Sequence, residues 1–256
     1  MTTPAPQERF TGLAEPYARY RPGFPPAAYD FIAEFAGLAT GALVLDVGFG
    51  TGISAQPLAE RGWQVIGIEP NDDMLRTARQ TLPSKLGIRL IQAAAEQVPL
   101  PDASADAIVA AQAFHWFRPT AALAEFHRLL KPGGSLFLMW YERADGDPFN
   151  DAYTAAIHRH GEGAADLERQ RRLAGTVLLQ APGWDAACRH EFTHEQRLDE
   201  EGVVGRARSI SYGPKSEAGL AALAADLKAA FQHYHQGGTV AMKYITTLYA
   251  ARRPER

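Results

Sequence analysis

Three glycines, Gly48, Gly50 and Gly52, separate a short apolar run, Leu43-Val44-Leu45-Asp46-Val47, from a stretch that reads as a helix from about Gly52 to Arg61. An apolar run that stops at such a cluster marks a strand buried on both faces of a parallel sheet. Glycine there lets the backbone approach a ligand closely, and the helix behind the turn offers unpaired N–H groups to an anion. A strand, tight turn and helix in this order restrict the chain to layered α/β folds.

The alternation continues on both sides. Arg21 to Pro26 forces an extended or turning path, and Ala27 to Leu38 reads as a helix. Val65 to Ile68 is a second strand, followed by a helix with Asn71 as its cap and Asp72 and Asp73 in its first turn. Ile88 to Ile91 and Ala107 to Gln112 read as strands three and four, then a helix from Thr120 to Leu130 and a fifth strand, Ser135 to Trp140. This repetition predicts a doubly wound parallel sheet. After Tyr141 the pattern changes. Residues 147–174 read as helical but polar, an insertion. His190 to Leu198 reads as a strand, Ser216 to His235 as an amphipathic helix with Leu220, Leu223, Leu227 and Phe231 on one stripe, and Thr239 to Ala250 as a long final strand.

Composition narrows the class. Of 256 residues, 26 are Lys or Arg and 29 Asp or Glu, a net charge of −3 that leaves no electrostatic footprint for sequence-independent nucleic-acid binding. Cys188 is the one cysteine, which excludes an intrachain disulfide and thiolate zinc modules and suits a reducing, cytoplasmic compartment. Met1 to Phe10 is Pro-rich and polar without the apolar segment of a secretory signal. No run approaches the roughly 18 apolar residues that span a bilayer. The pairs His158/His160, His190/His194 and His233/His235 lack a metal-site setting and read as solvated, so no metal is expected.

Glu69 ends the second strand, placed to accept hydrogen bonds from two ribose hydroxyls. The dinucleotide fingerprint needs a third glycine at position 53, which is Ile53, and no Walker sequence follows the loop. A nucleoside carrying a carboxylate in place of a pyrophosphate fits this loop better.

On these motifs the chain resembles class I S-adenosylmethionine (SAM)-dependent methyltransferases, specifically the type-11-like small-molecule group related to trans-aconitate methyltransferase. Asp46 to Gly52 resembles the loop that contacts the methionine part of SAM, and Gly67-Ile68-Glu69-Pro70-Asn71 the segment with the acidic ribose binder. Ala95 to Leu100, running into Asp102 to Asp106, resembles the adenine-contacting loop that leads to strand four. Ala111 to Phe117 resembles the loop lining the SAM and substrate sites. Tyr17 to Pro25 is similar to the N-terminal lid, and Arg208 to Tyr212 to a substrate-side segment. Two positions depart from the pattern: Phe49 is bulky where a small residue is usual, and Ala94 stands where many relatives carry the adenine-binding Asp.

The resemblance implies a Rossmann-like seven-stranded, mostly parallel sheet with an antiparallel final strand and a helical cap. It implies one domain over 1–256, with a lid at 1–30, a SAM-binding core at 40–141, a cap and substrate side at 142–236, and a final strand and tail at 237–256. Tyr17, Tyr20, Arg21, Asp46, Gly48, Gly50, Gly52, Glu69, Pro70, Asn71, Ala95, Glu96, Gln112 and Ala113 are the expected cofactor contacts. Phe114, Trp116, Tyr141, Arg143, Ser211 and Tyr212 are the expected substrate contacts. His115, with a pKa ordinarily near neutrality, is the candidate base or positioning group. Aromatic faces at Tyr17, Tyr20, Phe114 and Trp116 can attract a sulfonium, and Arg21 and Arg143 can grip a substrate carboxylate. The expected activity is methyl transfer to O, N or a carboxylate of a small molecule, with S-adenosylhomocysteine as product and neither nucleic acid nor membrane as partner. The rival readings are an NAD(P)-dependent oxidoreductase and a non-catalytic SAM-binding module. No motif specifies the acceptor or the oligomeric state.

Overall fold

A computed structural model describes residues 14–161, 164–214 and 216–255, and in it the alternation becomes one seven-stranded sheet. The strands are β1 (Leu43–Val47), β2 (Gln64–Ile68), β3 (Arg89–Ile91), β4 (Ala105–Ala111), β5 (Leu130–Arg143), β6 (Asp185–Leu198) and β7 (Val240–Arg252). Their spatial order is β3-β2-β1-β4-β5-β7-β6. β1 to β5 are parallel, and β7 alone runs the other way, antiparallel to both β5 and β6. The order reverses between β1 and β4, which opens a crevice beyond their C-terminal ends.

Successive residues of a strand point to opposite faces, so each strand feeds two cores. Val44 and Phe137 pack beneath α2 (Pro26–Ala36), with its Tyr29 and Ile32 fully buried. Leu45 and Leu138 face the other way, against Phe126 and Leu129 of α5 (Pro119–Leu129). The helix after the glycine loop, α3 (Ala55–Glu60), is shorter than expected, whereas α4 (Asp72–Thr81) starts where Asn71 accepts the Met74 N–H.

The polar stretch read as an insertion forms two helices, α6 (Pro148–His160) and α7 (Ala164–Ala174). α6 is less polar in place than in sequence, because Phe149, Tyr153, Ala156 and Ile157 are buried against α9 (Glu217–Tyr234) and β7. Two helices were not foreseen, α1 (Ala14–Tyr20) and α8 (Glu200–Arg208). They pack together, the Tyr20 ring lying directly on Gly205 and its hydroxyl donating to Glu201 Oε1 at 2.7 Å. This contact carries the N-terminal segment across to the cap; residues 1–13 of the expected lid lie outside the described residues. Strand β6 begins at Asp185 rather than His190. It is an edge strand with mostly exposed side chains, so it carries no apolar alternation to announce it. Among the described residues no helix is long and apolar enough to cross a membrane.

Candidate active site

The glycine loop lies at the crevice mouth. Gly48 has a φ of +73°, and a Cβ there would sit 2.3 Å from the Ala113 Cβ. Only glycine therefore lets the loop after β1 close on the loop after β4. The Gly48 and Phe49 N–H groups both donate to the Ile68 carbonyl, at 2.9 and 3.0 Å. The bulky Phe49 is accommodated by Gly67 of β2, over which its ring packs, and its edge still contributes to the cavity wall.

Glu69 is buried, with 8% of its surface exposed, yet borders the cavity. Its Oε2 accepts the Gly50 N–H and its Oε1 the Asn71 N–H, both at 2.9 Å. Burial raises its pKa, opposed by these two backbone donors. A carboxylate has about four acceptor sites, so two remain for ligand hydroxyls. Asp46 lies beneath the loop: Oδ2 accepts the Ser54 hydroxyl at 2.6 Å, while Oδ1 is buried without a partner. Burial pushes its pKa up to about 7, against the Ser54 hydrogen bond and helped by the nearby Glu69 charge.

These residues surround a cavity of about 390 Å³, within the usual size of small-molecule sites. Tyr17, Gly48, Gly50, Glu69, Pro70, Ala95, Glu96, Gln112 and Ala113 of the expected cofactor set line it, as do Trp116 and Tyr141 of the expected substrate set. Gln112 occupies a left-handed φ of +55° and donates its side-chain amide to the Tyr141 carbonyl at 3.0 Å. Glu96 Oε1 accepts the Arg118 N–H at 2.8 Å.

Other expected residues lie elsewhere. Gly52 borders a separate groove between α1 and α3, and Asn71 serves as helix cap and donor to Glu69. Tyr20 is committed to Glu201. Phe114 points into the core, edge-on to Phe117. Arg143 donates to Glu168 at 2.7 Å and to Thr154 at 2.8 Å, with 10% of its side chain exposed. Arg21, His115, Ser211 and Tyr212 meet in a smaller side pocket with Arg171, which shares Tyr17, Gln112 and Trp116 with the wall of the main cavity.

His115 Nδ1 accepts the Trp140 indole N–H at 3.2 Å. Enclosure of the ring lowers its pKa to about 3, with the charges of Arg171 and Arg21 adding to the effect. The imidazole is thus neutral, its one basic lone pair taken, and Nε2–H is its remaining donor. Phe24, whose ring centre lies 5.3 Å from that of Tyr141, and Phe117 also line the cavity. Neither was singled out among the expected contacts, although both lie in segments, Tyr17 to Pro25 and Ala111 to Phe117, that were expected at the site. Phe24 could have been found from its place in the Pro-rich lid segment, whereas Arg171 and Glu168, in a polar stretch without periodicity, gave no signal.

Residues 45–138 match the methyltransferase domain family. An uncharacterised methyltransferase of Mycobacterium tuberculosis is 38% identical over 164 residues, covering 56% of this chain and 65% of that protein. The chain thus matches a little under two thirds of the length of that relative. An uncharacterised methyltransferase of Geobacillus kaustophilus is 34% identical over 164 residues, covering 62% of this chain and 74% of that protein. Among solved structures, a type II methyltransferase candidate from Anaeromyxobacter dehalogenans aligns with a TM-score of 0.68 at 26% identity, over 93% of this chain and all of that one. A Rossmann-like sheet with its last strand inverted, a glycine loop and a buried acid after β2 define a class I SAM-dependent methyltransferase. The chain belongs to that family.

The site fits the family's cofactor. A Cβ built on Gly50 meets nothing within 4 Å, so the loop backbone is open to a ligand, and Glu69 keeps acceptor capacity on the cavity wall.

Proposed function

We propose that this protein is an enzyme that methylates a small molecule, using SAM as donor and releasing S-adenosylhomocysteine. The observation that carries this reading is Glu69, buried on the cavity wall and aimed by two backbone N–H groups. When bound, SAM supplies an electrophilic methyl group on a sulfonium whose C–S electron pair leaves with sulfur.

The chain's own work is binding, alignment and exclusion of water. Glu69 would accept the ribose hydroxyls, Gly48 and Gly50 would let the backbone approach the methionine part, and Ala95 and Glu96 would border the adenine. The Tyr17, Trp116 and Tyr141 rings wall the cavity, where their aromatic faces would favour a bound cation such as a sulfonium. Alignment supplies several kcal/mol, up to about 7–11 in ideal cases. His115, neutral and engaged by Trp140, positions rather than deprotonates. That favours acceptors whose nucleophile is already ionised or carries a free lone pair. The net charge of −3 favours a small molecule over nucleic acid, and the lone Cys188 a cytoplasmic setting.

Calorimetric titration tests the reading. SAM and S-adenosylhomocysteine should both bind, and Glu69→Ala should weaken them on the order of 100-fold, as expected for losing two charge-assisted hydrogen bonds. An absence of binding to wild-type protein, or an unchanged affinity in Glu69→Ala, would sink it. NADPH fluorescence should not respond to the protein.

A further inference from the structure

Strand β6 ends the sheet with a long open edge. It pairs with β7 on one side, from Cys188 opposite Ala250 to Leu198 opposite Val240, and no described residue pairs with its other side. Such an edge presents a row of unsatisfied N–H and C=O groups, and proteins that keep it single shorten the strand or place proline or lysine on it. β6 has 14 residues and neither proline nor lysine. Its pairing is regular from Cys188 to Leu198, with a register shift only at the Asp185 end.

The two faces of this edge differ. On the α2 side the half-buried rings of Phe31 and Phe192 have centres 6.2 Å apart, and the His190 ring lies 4.2 Å from that of Phe31. The other face shows Arg189, Glu191, Thr193, Glu195 and Arg197, all exposed. Within the strand Arg189 pairs with Glu191, and Arg197 Nε lies 3.3 Å from Glu195 Oε1. These four side chains remain 45–69% exposed, so their pairs are worth little and exchange readily for partners on a neighbouring strand.

Two copies of this edge can meet antiparallel about a twofold axis, and charge selects the register. With the axis at Thr193, Arg189 opposes Arg197 and Glu191 opposes Glu195, like on like. With the axis at Glu191, that carboxylate opposes its own copy. With the axis at Phe192, Arg189 opposes Glu195 on both sides of it, Glu191 opposes Thr193, and no like charges meet between Cys188 and Gln196. Phe192 then meets its own copy, and His190 opposes His194. An axis at His194 also joins unlike charges, Glu191 with Arg197, but leaves Phe192 opposite Gln196. We propose that this protein forms a homodimer through β6, two copies running antiparallel about Phe192 and joining their seven-stranded sheets into one. The dimer does not depend on the methyltransferase reading.

Gel filtration with light scattering tests this on the full chain at about pH 8, where an ordinary imidazole is uncharged. Loaded at about 200 μM, well above the dissociation constant of even a weak specific dimer, the wild-type protein should show twice the mass of the chain. Arg189→Glu and Glu195→Arg should each weaken association on the order of tenfold or more, because each places two like-charged pairs in the interface. Mixed in equal amounts, the two variants should dimerise again, since every glutamate then opposes an arginine. The double variant carrying both changes should do the same. A variant that merely fails to fold cannot recover a partner on mixing, so recovery is read apart from any loss of stability. A single-chain mass for wild-type protein at about 200 μM overturns the proposal. A dimer that ignores both charge reversals also overturns it, and assigns the contact to another face. Variants that dissociate but do not recover when mixed overturn the register about Phe192.

Discussion

The two lips of the cavity keep buried charge by different means. On the glycine-loop side, Glu69 is met by the N–H groups of Gly50 and Asn71, and Asp46 by the Ser54 hydroxyl. On the cap side, side chains answer side chains, Glu168 with Arg143, His158 and Tyr212, and Glu142 with Arg171. Main-chain donors cannot be mutated away and bring no charge of their own. They aim a carboxylate at a ligand while leaving its charge available to that ligand. Ion pairs between side chains instead cancel charge and leave less of it for anything outside the pair.

The contrast breaks most readily at Glu168. Its Oε1 accepts from Arg143 at 2.7 Å and from Tyr212 at 2.9 Å, and Oε2 lies 2.9 Å from His158 Nε2. Glu168→Ala leaves a buried guanidinium unpaired and should cost about 3–5 kcal/mol in urea unfolding; a loss below about 1 kcal/mol would mean that the pair behaves as an exposed one. Burial works to raise the Glu168 pKa, but Arg143 and the donated hydrogen bonds outweigh it and hold it at about 2. Its contribution is therefore present above the ordinary carboxylate value and lost as pH falls toward 2.

Asp46 should show the opposite sign. With a folded-state pKa of about 7 against an ordinary 3.8, its stabilisation is complete below about pH 4 and is lost as pH rises through 7. The unfolded chain gives up the proton first. Urea midpoints should fall across that window by the equivalent of a few kcal/mol at most, and Asp46→Asn should flatten the slope. A midpoint that rises steadily from pH 4 to 7 in wild-type protein, unchanged in Asp46→Asn, would show the loop carboxylate to be held as an ion.

The smallest effect is expected at the seam. His115→Gln should lower kcat/KM by less than about tenfold and leave the shape of its pH profile between about 5 and 8 unchanged, since loss of a general base costs roughly 10²–10⁴. A larger loss, with an inflection that disappears, would restore His115 as a base.

The doubly wound core was legible because its signals are local: apolar runs for β1 and β2, Asn71 before α4, and Pro132-Gly133-Gly134 after α5. The cap was legible only where apolar periodicity survives, as in α9. Helix α8 escaped notice because Gly202 and Gly205 make its sequence a poor helix, and it is held by the Asp199 cap and by Tyr20 packing on Gly205. Arg143 was expected to grip a substrate carboxylate, but in the structure it pairs with Glu168, 25 residues away on a helix with no distinguishing pattern.

What the sequence determined by itself is the glycine-loop side of the cavity. The glycine turn and the acid after β2 are tied together by hydrogen bonds between residues 19 or 20 positions apart, Gly50 to Glu69, Phe49 to Ile68 and Gly48 to Ile68. What only the tertiary structure decided is which charges remain unbalanced. Arg21 reaches Ser209 across 188 residues, and pairing of Arg143 and Arg171 depends on where α7 docks. Charge neutralisation is a property of positions in space, falling off with distance between groups rather than with separation along the chain.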